Sequence, residues 1–327
     1  MKHVSILIPM GKTSLSNVDG TAHIFAEVNS MQKEKGLPPL FDIKLVGLSH
    51  DTSRHNGTFT INPDCLVNEV KKTDLIVIPA IFGNPTQVIA DNEAFIPWII
   101  QQYKSGAEIA SMCIGAFFLA ATGLLKGRQC ATHWRFVNEF RLMYPDVNLV
   151  DDKILTEEDG IYTSGGAYSY LNLLVYLVEK FAGRDMAIMI AKAFMIDIDR
   201  NSQSPFIIFH GQKAHEDEPV KKAQEFIENN YQEKITVDQL ASMFALGRRN
   251  LERRFKKATA NTIAEYIQRV KIEAAKKSLE TSRKNINEIM YTVGYSDTKA
   301  FRTIFKKITG LSPIEYKNKY NKEMAYV

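Results

Sequence analysis

Short, mostly apolar runs alternate with longer amphipathic stretches through the first two-thirds of the chain. The runs are VSILIP (4–9), FDIKLVGL (41–48), DLIVIPA (74–80) and AEIASM (107–112). Their continuous apolar character, without strict polar alternation, predicts strands covered on both faces. Helical patterns lie near 20–35, 87–104, 114–125, 133–143, 168–181 and 185–195. That alternation predicts an α/β domain with a doubly wound, mostly parallel sheet. Ligands in such folds gather at the carboxyl ends of the strands, which singles out the loops 10–19, 81–86, 113–115 and 164–168.

From about residue 220 the period becomes helical throughout, and it repeats. FKKATANTIAEY (255–266) returns as FKKITGLSPIEY (305–316), with Phe, Lys, Lys, Thr, Glu and Tyr in register. A repeat of this length marks one supersecondary unit built twice. The first copy follows a helix near 220–231 and opens with Thr236 and Gln239, spaced as a capping box. Val237, Leu240, Ala241 and Phe244 then form an apolar face, Ala245-Leu246-Gly247 a turn, and Arg248 to Lys257 a basic helix burying Leu251 and Phe255. In the second copy Asn285 and Glu288 cap, and Ile286, Ile289, Met290 and Val293 form the apolar face. Gly294-Tyr295-Ser296 turns, and Asp297 to Lys307 is the second basic helix, burying Phe301 and Phe305. Short helix, tight turn and basic helix together predict helix-turn-helix units at about 236–257 and 286–307, joined by a helix from Ile263 to about Glu280. The layout is thus an α/β domain over 1–205, a linker over 206–219 and an all-α domain with two helix-turn-helix units over 220–327.

Charge sharpens the division. The net +4 separates into −6 over residues 1–219 and +10 over 220–327. A localised basic surplus is the footprint expected for a polyanionic partner. With the apolar positions of each basic helix buried, its period turns the other positions outward. Arg249, Glu252 and Arg253 become candidates for base contact in the first unit, and Thr298, Lys299, Arg302 and Thr303 in the second. Lys256, Lys257, Lys306 and Lys307 are candidates for phosphates, which position without specifying.

Composition excludes other classes. At 45% hydrophobic and 24% charged the chain has an ordinary globular balance, and no apolar run reaches membrane-spanning length. The opening MKHVSILIPMG reads as a first strand and not as a signal peptide. Cys65, Cys113 and Cys130 form no CxxC pair, and the histidines show no metal-ligand spacing. No metal or cofactor is expected, and a reducing cytoplasm is.

One segment carries candidate chemistry. Ser111-Met112-Cys113-Ile114-Gly115-Ala116 joins a strand directly to a helix, with small residues flanking Cys113 as in a nucleophile elbow. Cys113, Ile114 and Gly115, with Gly83, Gly165 and Gly166 from neighbouring strand-end loops, are the elbow and ligand-pocket candidates. A thiol at a helix N-terminus is expected to be acidified and exposed; the alternative is a buried, inert cysteine. A nucleophile needs a base and an orienting partner. Ile114 supplies neither, and His133, at the start of the next helical pattern, reads as a structural residue. No catalytic residue is assigned.

These segments resemble known families. SMCIGAFFLAATGLLKGRQCATHW and YTSGGAYSYLNLLVYLVEKFAGRDMA resemble the DJ-1/PfpI (class I glutamine amidotransferase-like) domain fused to AraC-type regulators. LxRRFKK and GYSDxxxFRxxFKKxTGxSPxEY resemble the DNA-binding domain of AraC/XylS regulators over residues 220–320. The resemblance implies a regulator whose partners are double-stranded DNA, a small-molecule effector and a second copy bound through the N-terminal domain, with no membrane. Enzymes of the DJ-1/PfpI family carry His after the cysteine and Glu in the first strand–helix loop; here Ile114 and Asp19 stand there, which implies sensing or assembly. Asn172 replaces a common Asp, and Gly247 a common capping Ser. Two alternatives stay open: a cysteine-dependent amidase or deglycase with a DNA-binding tail, and an N-terminal domain that serves only as a dimerisation scaffold.

Overall fold

A computed structural model describes residues 1–50, 53–55 and 59–321. They divide into two compact units, Met1–Gln203 and Ser204–Val327. Among the described residues no helix is long and apolar enough to cross a membrane.

The first unit is built on a seven-stranded sheet. Its strands are β1 (Lys2–Ile8), β2 (Phe41–Gly47), β3 (Cys65–Leu66), β4 (Leu75–Ile78), β5 (Glu108–Met112), β6 (Leu155–Glu158) and β7 (Ile161–Ser164). They lie in the order β6-β7-β5-β4-β1-β2-β3, all parallel except the edge strand β6. Helices α1 (Leu15–Glu34), α6 (Tyr170–Ala182) and α7 (Arg184–Ala193) cover one face. Phe25, Val28, Leu174, Val178 and Ile190 meet Val4, Ile6, Val77 and Ala110 there. On the other face lie α2 (Pro85–Asp91), α3 (Phe95–Lys104), α4 (Gly115–Ala121) and α5 (Val137–Met143). Phe95, Ile99, Phe118 and Phe140 pack on Leu7, Ile76, Ile78 and Ile109. Residues 4–8 of β1 are buried without a break, because both faces of the strand meet helices.

The second unit is all-α. It comprises α8 (Glu218–Asn229), α9 (Val237–Met243), α10 (Arg248–Thr259), α11 (Ile263–Thr281), α12 (Ile286–Thr292), α13 (Thr298–Thr309) and α14 (Pro313–Tyr320). Two small cores share α11. Its Ile263 and Tyr266 join Val220, Ile227, Leu240, Leu251 and Phe255. Its Ile272, Ala275 and Leu279 join Ile289, Met290, Phe301, Phe305 and Tyr316.

Two expectations change. The edge hairpin β6–β7 is absent from the sequence reading, although Asp159-Gly160 between the strands, both at positive φ, is a strong hairpin signal. The stretch 206–219 is not a free tether. The Phe209 ring lies against Tyr266, its amide donates to Glu273 Oε2 at 3.1 Å, and Lys276 Nζ donates to the Ile207 carbonyl at 2.5 Å. Apolar and hydrogen-bonded contacts have recruited a polar segment as a strap along α11. At its far end, α8 starts at Glu218, capped by Asp217.

Candidate nucleic-acid interface and elbow

Each helix-turn-helix is fixed by caps and a tight turn. Thr236 accepts from the Gln239 amide and Asn285 from the Glu288 amide. Leu246 N donates to the Ala241 carbonyl, and Tyr295 N to that of Met290. The residues completing these turns, Ala245 at φ +53° and Gly294 at φ +74°, are left-handed. The basic helices also end alike. Thr259 Oγ1 donates to the carbonyls of Phe255 and Asn261, and Thr309 Oγ1 to those of Phe305 and Leu311. Ala260 and Gly310 then take left-handed C-terminal positions. At the start of α10 Gly247 offers no side-chain cap, whereas Asp297 caps α13 at Ala300 N.

The two units are joined through Lys271. It is buried on α11, and its Nζ donates to the Gly294 carbonyl at 3.1 Å and the Glu233 carbonyl at 3.4 Å. Burial lowers its pKa. A Cβ added at Gly294 would lie 2.1 Å from the Gln232 carbonyl oxygen and 2.6 Å from Lys271 Nζ, so this turn accepts only glycine.

The exposed faces agree with helical phase. Arg249, Arg253, Lys256, Lys257, Lys299, Arg302, Thr303, Lys306 and Lys307 are exposed, and Glu252 and Thr298 are half-buried. The side chains of Arg249, Lys299 and Arg302 make no hydrogen bond or ion pair among the described residues. Three further residues escaped the sequence reading. Arg248 is exposed and spans Asp238 at 2.9 Å and Glu252 at 3.4 Å. Asn250 is exposed and accepts from Arg253 at 3.2 Å. Arg254, half-buried, forms a two-pronged pair with Asp217 at 2.8 and 2.7 Å. That guanidinium holds the Asp217 carboxyl below its ordinary range. One helical turn separates Arg248 from Glu252, so their pairing was legible; the Arg254–Asp217 pair spans 37 residues and was not.

In the first unit, β5 turns into α4 through Cys113 at φ +56°, the strained backbone of an elbow. Its amide donates to the Ser164 carbonyl at 2.8 Å, and Thr132 Oγ1 donates to its carbonyl at 3.0 Å. The expectation of an exposed, acidified thiol does not hold. Cys113 is 5% exposed, and burial pushes its thiol up to about 12. Desolvation opposes the thiolate more than the adjacent helix end favours it.

The pocket candidates do not share one cavity. Ile114 and Gly83, with Phe117, Phe118 and Phe136, line an apolar space of about 20 Å³. Cys113, Gly115, Gly165 and Gly166 are not in that lining. Gly115 lies under the Pro79 carbonyl, and Gly165 against Gln203 and the Thr132 carbonyl. His133 caps a short turn, its Nδ1 accepting from the Arg135 amide at 3.1 Å, and burial lowers its pKa. No group of three metal-ligating side chains is present among the described residues.

Comparison with known proteins matches both halves. Residues 27–180 match the DJ-1/PfpI family, and residues 240–319 match a helix-turn-helix domain. The chain is 24% identical over 264 residues to the HTH-type transcriptional regulator GbdR of Pseudomonas aeruginosa, covering 77% of this chain and 68% of that protein. It is 23% identical over 232 residues to the HTH-type transcriptional regulator GlxA of Rhizobium meliloti, covering 71% of each. The crystal structure of an AraC family transcriptional regulator from Pseudomonas putida superposes with a TM-score of 0.51 at 14% identity, over 59% of this chain and 100% of that one. That likeness speaks for the fold.

Proposed function

We propose, for a chain that joins an N-terminal DJ-1/PfpI domain to an AraC-type helix-turn-helix domain, that it is a transcription regulator reading duplex DNA with α10 and α13. The observation that carries this is the pair of equivalent exposed basic faces, each with an unengaged arginine, Arg249 and Arg302, beside buried Phe255 and Phe305. Two such helices enter successive major-groove segments about one turn, ~34 Å, apart. Arg249, Glu252, Arg253, Thr298, Lys299, Arg302 and Thr303 meet base edges. Lys256, Lys257, Lys306 and Lys307 meet phosphates. Glu252 turns to a base by giving up its 3.4 Å contact with Arg248, which Asp238 still holds at 2.9 Å.

The α/β domain senses a small-molecule effector, pairs two chains, or does both, and the protein works in the cytoplasm. Its elbow backbone favours the rival hydrolase reading. The sealed thiol at about 12 and the engaged Nδ1 of His133 weigh against turnover. The regulator names of the relatives at 24% and 23% identity weigh the same way.

The test is binding to duplexes enriched from sheared genomic DNA. Arg249→Ala and Arg302→Ala are each expected to cost about 1–3 kcal/mol on the enriched duplex and less on random sequence. Equal losses on both would make these residues phosphate contacts. No enrichment of any sequence would sink the regulator reading.

A further inference from the structure

A second cavity in the α/β domain, of about 630 Å³, shares no residue with the elbow. That volume suits a metabolite. Its walls are the start of edge strand β6, one stripe of α6, the first residue of α7 and the segment 198–202. Ile154 and Val175, each 2% exposed, give it an apolar floor. Its polar wall is internally braced. Asn172 Nδ2 donates to the Asp197 carbonyl at 2.6 Å, and Arg184 Nη1 to Glu179 Oε2 at 2.6 Å.

The charges are mixed with a cationic excess: Lys153, Arg184 and Arg200 against Asp152 and Glu179. Guanidinium groups match a carboxylate with two parallel hydrogen bonds. Glu179, itself part of this wall, already pairs with Arg184 at 2.6 Å, so a ligand carboxylate shares that guanidinium with it or displaces it.

We propose that this cavity is the effector site and that it takes a small carboxylate-bearing metabolite, held by Arg184 and Arg200. The inference rests on the regulator reading for its consequence but not for its chemistry. The consequence follows from chain order. Residues 198–202 form one wall and lead directly into Gln203, whose Nε2 donates to the Thr132 and Lys153 carbonyls at 3.0 and 2.9 Å. The chain then continues as the strap that Lys276 and Glu273 hold along α11. A ligand that binds one arrangement of 198–202 better than another biases the segment feeding the DNA-binding unit.

The test uses the full chain with succinate, glutamate and γ-aminobutyrate as probes, and neutral succinamide as control. Thermal midpoint and duplex binding are read on the same samples. At least one carboxylate is expected to raise the midpoint saturably, with succinamide inert. In the Arg184→Gln/Arg200→Gln variant the apparent affinity should fall by about tenfold or more, while Cys113→Ser keeps it. Should the double variant fail to fold, Asn201→Trp, at an exposed position on the wall, tests the site by obstruction and should abolish the shift. No shift with any carboxylate, or a shift that survives both variants, overturns the proposal. No carboxylate shift in the unaltered chain with duplex binding intact sinks the site alone; absent duplex binding with an intact shift sinks the regulator reading alone.

Discussion

At the scale of single residues, similar side chains do different work according to what their neighbours offer. Arg249 and Arg254 sit five positions apart on one helix, yet the first faces solvent while the second is committed to Asp217. The pair gives the second unit an acid sensitivity whose sign is fixed. Asp217 has a lowered folded pKa, so its contribution is complete above the unfolded carboxylate value and is lost as pH falls through the depressed folded value. Urea midpoints measured against pH should therefore decline on the acid side, and Asp217→Asn should flatten that decline and lower the midpoint at neutral pH. An unchanged slope in the variant would assign the acid loss elsewhere. The outward set on α10 and α13 was legible from period alone, because burying Leu251, Phe255, Phe301 and Phe305 leaves no other phase. The state of Cys113 was not. Motif spacing indicates a turn, but desolvation depends on the buried cluster that Cys113 joins, which includes residues distant in sequence such as Ile78 and Phe140.

At the scale of elements, the duplicated units share a design and differ at one turn. Ala245 and Gly294 occupy equivalent left-handed positions, but only Gly294 is crowded by the Gln232 carbonyl and Lys271. Gly294→Ala should cost about 2 kcal/mol or more, since it adds a clash to an unfavourable φ. Ala245→Gly should change stability by less than about 1 kcal/mol, since relief of strain offsets the added freedom of the unfolded chain. Chemical denaturation of the full chain read through the second unit measures both; equal effects would refute the distinction. Caps and helix ends followed from local residues, as at Thr262 with Glu265 and Ser312 with Glu315. The hairpin β6–β7 escaped because its strands are short and its polar Thr156, Glu157 and Glu158 weaken the apolar signal, leaving Asp159-Gly160 as the cue.

At the scale of the molecule, charge is partitioned as the fold is. The basic surplus lies wholly beyond residue 219. Duplex affinity should thus fall steeply and log-linearly with salt, and replacing Lys256 and Lys306 together by Gln should reduce the slope by about two. A slope unaffected by that change would remove both lysines from the phosphate set. The two-unit layout was readable from the switch in periodicity near residue 220. The role of 206–219 was not, because its composition is that of a loop and its order comes from partners such as Tyr266 and Glu273 far along the chain.

That strap has a practical corollary for dissecting the protein. Cutting immediately before α8 would amputate Phe209 from the packing on Tyr266, strip Lys276 and Glu273 of their backbone partners, and leave the Thr259–Asn261 corner without Gln212. A faithful excision of the reading half begins at Ser204, and a shorter fragment that misbehaves would report the surgery, not the design.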